Sequence, residues 1–83
     1  MRITVLFFGP ARDWAGVDSS VFDIEEGATL AQLKNPVAER HPGIKEGMTC
    51  VRFAVNQEFA ADDATLHDGD EVALIPPVSG GCD

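Results

Sequence analysis

The ten residues Asp68-Gly69-Asp70-Glu71-Val72-Ala73-Leu74-Ile75-Pro76-Pro77 decide the architecture. An acid–glycine–acid turn leads into five residues that alternate as a strand. A period of two puts Val72 and Leu74 on a core face and leaves Ala73 and Ile75 on the other side. Proline has no backbone N–H to give a ladder, so Pro76-Pro77 stops sheet pairing. This segment is the last strand, and everything before it must supply its neighbours and its cover.

Working outward, Val51-Arg52-Phe53-Ala54-Val55 alternates as a strand, Asn56-Gln57 makes a tight turn, and Glu58-Phe59-Ala60 is a short return strand. The polar connection from Ala61 to His67 has Leu66 as its anchor. At the other end, residues 2–8 read as a strand with Ile3, Val5 and Phe7 on one face and Thr4, Leu6 and Phe8 on the other. Gly9-Pro10 breaks it, and residues 11–18 are expected to be a loop carrying Arg12, Asp13 and the single tryptophan, Trp14. Ser20-Val21-Phe22-Asp23-Ile24 is a second strand with Phe22 and Ile24 inward, close enough to the first to form an antiparallel hairpin.

Between the two halves lies a helix. Thr29 is a good N-cap with Gln32 three residues on, the pattern of a capping box. Leu30, Leu33 and Val37 then form an apolar stripe. Pro36 interrupts it, because an interior proline removes one hydrogen bond and clashes with the preceding turn. A kink near Asn35 is expected, or a restart with Asn35 as cap. His41-Pro42-Gly43 ends the helical region. The order β-β-α-β-β-β predicts an α+β chain, a mixed sheet with one main helix on one face, in the β-grasp or ubiquitin-like arrangement. Residues 1–76 form this domain and residues 77–83 a flexible tail.

The composition narrows the function. The chain has 83 residues, of which 14 are acidic and 6 basic, for a net charge of −8. Its isoelectric point is near 4.4. Nucleic acid and anionic membranes both demand a positive surface, so neither is an expected partner. A chain this short buries roughly 60% of its unfolded surface, which leaves little room for a deep pocket. After Arg52 there is no Lys or Arg, only the acids Glu58, Asp62, Asp63, Asp68, Asp70, Glu71 and Asp83. They form either a solvated face or a docking surface for a basic partner. Met1-Arg2 runs into an apolar stretch too short for a secretory signal, and the two cysteines, Cys50 and Cys82, make no disulfide framework. A cytoplasmic location with free thiols is expected.

An active site is hard to assemble. His41 and His67 are isolated and read as surface histidines. Asp68-Gly69-Asp70-Glu71 lacks the alternating ligands of a calcium loop. Ser79 has no neighbouring base, and Cys50 reads as a near-core residue. No bound metal or cofactor is expected. What does stand out is Pro76-Pro77-Val78-Ser79-Gly80-Gly81. Two prolines extend the chain stiffly away from the domain. Two glycines then offer a thread without side chains and an unhindered terminal acyl group. Such a tail suits a domain whose own terminus is the reactant.

The stretch Val55-Asn56-Gln57-Glu58, the run Leu66-His67-Asp68-Gly69-Asp70-Glu71-Val72-Ala73-Leu74-Ile75 with the tail Pro76 to Gly81, and the opening Leu6-Phe7-Phe8-Gly9-Pro10-Ala11-Arg12 together resemble the sulfur carriers of the MoaD/ThiS family, which includes the small subunit of molybdopterin synthase. The resemblance covers nearly the whole chain. It implies that the chain is a substrate and not by itself an enzyme. An E1-like adenylyltransferase would use ATP to activate the Gly81 carboxylate, beside Gly80. A sulfur donor of the cysteine desulfurase or rhodanese type would then convert it to a thiocarboxylate. The molybdopterin synthase large subunit would receive the tail and pass the sulfur to cyclic pyranopterin monophosphate. The resemblance further implies a partner-facing patch at Phe8, Phe59 and Ile75, with Arg12 nearby unless it pairs with Asp13. It also counts Pro76, Pro77, Val78 and Ser79 among the partner-binding residues.

One departure matters. In the family the second glycine is normally the last residue, whereas here Cys82-Asp83 follow, so Gly81 carries an amide that cannot be adenylated. The resemblance implies trimming between Gly81 and Cys82 by a metal-dependent protease. Attack of the Cys82 thiol on the Gly81 carbonyl is an alternative. Two other readings stay open: a sulfur carrier serving thiamine, cysteine or a thiocarboxylate metabolite, and a ubiquitin-like binding module that is never activated.

Overall fold

The computed structural model describes residues 1–45, 47 and 51–75. Five strands, β1 (Arg2–Phe7), β2 (Ser19–Asp23), β3 (Arg52–Val55), β4 (Glu58–Phe59) and β5 (Glu71–Ile75), form one sheet in the order β2-β1-β5-β3-β4. The last strand lies at its centre. It runs parallel to β1, with Val5 opposite Val72 and Leu6 opposite Ala73, and antiparallel to β3, with Ala54 opposite Ala73 and Arg52 opposite Ile75. β1 and β2 form the expected antiparallel hairpin. This is the β-grasp arrangement, with helix α2 (Leu30–Arg40) covering one face.

The alternation seen in sequence holds on β1, β2 and β5, whereas β3 buries Phe53 and Ala54 in succession and both residues of β4 are exposed. Ile3, Val5, Phe7, Phe22, Phe53, Val72 and Leu74 are buried against Leu30, Leu33 and Val37 of α2, with Leu66 and Ile44 closing the ends. The capping box at the start of α2 is complete. The Thr29 N–H donates to Gln32 Oε1 at 2.8 Å, and the Gln32 N–H donates to Thr29 Oγ1 at 3.4 Å. At the far end, Arg40 Nη1 donates to the Val21 carbonyl at 2.6 Å and shields the free edge of β2.

Three expectations change. Residues 11–18 are not simply a loop, because Pro10–Ala15 form a short helix, α1. Gly9 turns the chain at φ 52°, Pro10 is preset for a first helical position, and Ala11 is buried as the anchor. Gly16 closes α1 in the left-handed region, donating its N–H to Arg12 O. The restart at Asn35 does not occur, and α2 is continuous with Pro36 inside it. Leu33 and Val37 are both fully buried on either side of the proline. Burying each contributes roughly 1.5–3 kcal/mol, enough to offset the roughly 3 kcal/mol of an interior proline. Finally, His41 is not a plain surface residue. It is half-buried beyond the end of α2, edge-on to Phe7 at 5.2 Å and Phe22 at 6.4 Å, with Nε2 enclosed. His67 is exposed, as expected.

The Asn56-Gln57 turn joins β3 to β4 with φ of 50° and 72°. Both central residues of such a hairpin turn sit at positive φ, which matches the twist of the strands. For a residue with a Cβ that region is unfavourable by roughly 1–2 kcal/mol, least so for Asn.

Candidate functional site

The face of the sheet away from α2 has no cover among the described residues. In the row nearest the end of β5, Phe8 follows β1 and lies beside Ile75, with Arg52 on Ile75's other side. The next row runs Leu6, Ala73, Ala54 and Phe59. Alanines at the two central positions leave a shallow floor between taller side chains. The result is a groove of about 400 Å³, walled by Leu6 and Phe8 on one side and Phe59 on the other, with Gln57 and Glu71 at its polar end. Phe8 is 48% exposed and Phe59 65%, while Ala54 beneath them is 3% exposed. Two exposed aromatic rings on a bare sheet face make this groove the candidate interaction surface of the described residues.

Three of the residues singled out in sequence, Phe8, Phe59 and Ile75, therefore meet in one groove. Arg12 does not line it. Arg12 sits on α1 with Nη1 3.5 Å from Asp18 Oδ1, so its partner is Asp18 and not Asp13. Arg52, absent from the expectations, places its guanidinium 5.5 Å from the centre of the Phe59 ring. Ala54 and Gln57 were also missed, while Glu71, one of the acids read as a solvated face or a docking surface, lies at the groove's polar end. Leu6 and Ala73 share the parity of Phe8 and Ile75 and were readable from it, whereas Ala54 and Gln57 reach the groove only through strand pairing and turn geometry.

The acids after Arg52 divide by role. The Asp68 carboxylate accepts the Arg2 N–H at 2.7 Å, and Asp62 pairs with Lys34 Nζ at 2.6 Å. Asp70 accepts from Asn56 Nδ2 at 2.9 Å and from the His67 N–H at 2.8 Å. Asn56 in turn accepts the Glu71 N–H at 3.0 Å on Oδ1. Among the described residues no group of three or more His, Cys, Asp or Glu is placed to hold a metal ion. No helix among them is long and apolar enough to cross a membrane. Cys50, Pro76, Pro77, Val78, Ser79, Gly80, Gly81, Cys82 and Asp83 lie outside the described residues, as does the expected domain boundary after residue 76.

The model of the ThiS family matches residues 5–81. The chain belongs to the ThiS family. The match ends on Gly81, leaving Cys82-Asp83 beyond it. Among curated ThiS-like relatives, the chain is 45% identical to the molybdopterin synthase sulfur carrier subunit of Chlamydomonas reinhardtii, over 98% of this chain and 100% of that one. Of solved structures, SAMP1 from Haloferax volcanii superposes with a TM-score of 0.90 at 26% identity, covering 98% and 100% of the two chains. A chain in the complex of subunits 1 and 2 of the molybdopterin-converting factor from Helicobacter pylori superposes with a TM-score of 0.73 at 28% identity, with the same coverage.

Proposed function

We propose that this chain is the sulfur carrier of molybdopterin synthase. The observation that carries the reading is the 45% identity to a carrier subunit over the whole of that subunit. The bare groove on the sheet supports it, because β5, whose last residue Ile75 lines the groove, continues in sequence into the Gly80-Gly81 tail. Gly81 lies six positions beyond Ile75 in sequence, a length that spans at most about 21 Å when extended. A partner seated on the groove can therefore hold its reacting atoms well away from the carrier's own surface.

The chemistry follows from the acyl group. Removal of Cys82-Asp83 by a metal-dependent protease frees the Gly81 carboxylate. An E1-like adenylyltransferase joins it to AMP, using ATP and releasing pyrophosphate. A persulfide from a desulfurase or rhodanese-type donor displaces AMP to leave, after reductive cleavage of the acyl disulfide by a thiol, the thiocarboxylate. The large subunit of the synthase takes the tail, and the sulfur passes to cyclic pyranopterin monophosphate while Gly81 returns to a carboxylate. The chain turns nothing over on its own, and this sequence of steps belongs in the cytoplasm.

Intact mass spectrometry tests the proposal. A chain ending at Gly81, incubated with the E1-like enzyme, ATP and a sulfur donor, is expected to gain the mass of one oxygen-to-sulfur exchange. The same chain carrying Cys82-Asp83 is expected to stay unchanged until it is trimmed. Sulfur acquired on the untrimmed chain would sink the maturation step, and no exchange on the trimmed chain would sink the carrier assignment.

A further inference from the structure

The turn between β3 and β4 holds two residues at positive φ, and only one of them has a local reason to be what it is. Asn56 tolerates φ 50° by residue type, and its carboxamide is fully used: Nδ2 on Asp70 and Oδ1 on the Glu71 N–H. Gln57 sits at φ 72°, the position where glycine is strongly preferred in this turn. Its side chain is exposed and has no hydrogen-bond partner among the described residues, yet it lines the groove beside Phe59 and Glu71. Backbone strain at a surface turn with nothing local to compensate it points to use of the side chain elsewhere.

Building on the carrier assignment, we infer that Gln57 is a docking residue. Its carboxamide hydrogen-bonds main-chain groups of the synthase large subunit where that subunit covers the groove. A carboxamide carries both a donor and an acceptor, so it can meet a strand or loop backbone in either polarity. Phe8, Phe59 and Ile75 supply contact area without direction. At the opposite end of the groove from Ile75, Gln57 fixes which way the partner lies, and so aims the tail.

Two substitutions separate the docking role from the conformational one. Gln57→Gly removes both the carboxamide and the strain, whereas Gln57→Ala removes the carboxamide and keeps the strain. Affinity for the large subunit, by titration calorimetry on chains ending at Gly81, is expected to fall about fivefold or more in both variants. The melting temperature is expected to rise by about 4–8 °C in Gln57→Gly alone. A more stable chain that binds more weakly cannot owe the loss to unfolding. Unchanged affinity in Gln57→Gly, with the parent chain binding normally, overturns this inference and leaves the carrier assignment standing. Failure of the parent chain to bind overturns both.

Discussion

Asp70 joins three parts of the sheet through four hydrogen bonds. Its carboxylate accepts from Asn56 in the β3–β4 turn and from the His67 N–H. Its own N–H donates to the His67 carbonyl at 3.0 Å, and its carbonyl accepts the Thr4 N–H of β1 at 3.1 Å. The side chain is only 12% exposed, and truncation removes the charged acceptor of both the Asn56 and the His67 bonds. Asp70→Ala is expected to lower unfolding free energy by about 1–3 kcal/mol in urea denaturation. The exposed Asp63→Ala should stay within about 0.5 kcal/mol of the parent. In sequence Asp68, Asp70 and Asp63 are all members of one acidic run, and composition cannot tell them apart. What distinguishes them is a partner 14 residues away for Asp70 and 66 away for Asp68. Such links are set by the closed fold and leave no local mark.

At the scale of elements, legibility follows the range of the interactions. The start of α2 was readable because the capping box is complete within four residues, Thr29 to Gln32. Thr29→Ala is expected to weaken the protein by about 1 kcal/mol, read as a lower urea midpoint at unchanged slope, since the Gln32 N–H loses its side-chain acceptor while the residue-29 N–H keeps its bond to Gln32. The strands were readable because a period of two needs only neighbours. Helix α1 was not, although Pro10 and Gly16 bracket it as first-position proline and closing glycine. Its single buried residue, Ala11, gives too short an apolar pattern for periodicity to register. Pro36 shows the reverse error. Local chemistry predicted a kink or a restart near Asn35; the restart is absent, and burial of Leu33 and Val37 supports one helix across the proline.

For the whole molecule, the groove was half visible before the fold was known. Parity alone put Phe8 and Ile75 on the face away from α2. Only the strand order brings Phe59, from the outermost strand, across to complete the wall. The net charge of −8 acquires a different meaning on the same scale. No charged side chain is buried among the described residues, so the charge acts outward as a field around a contact patch that is largely apolar. Field and patch should then control different rates. Between about 0.01 M and about 0.1 M salt the screening length shrinks from roughly 30 Å to roughly 10 Å. If the acids steer a basic face of the large subunit, association, followed by stopped-flow fluorescence of Trp14, is expected to slow about tenfold or more over that range. Dissociation should change little, because the contacts that must break are between apolar groups. A dissociation rate that rises with salt while association stays constant would place the deciding charges inside the contact, with Glu71 at the polar end of the groove the first to replace.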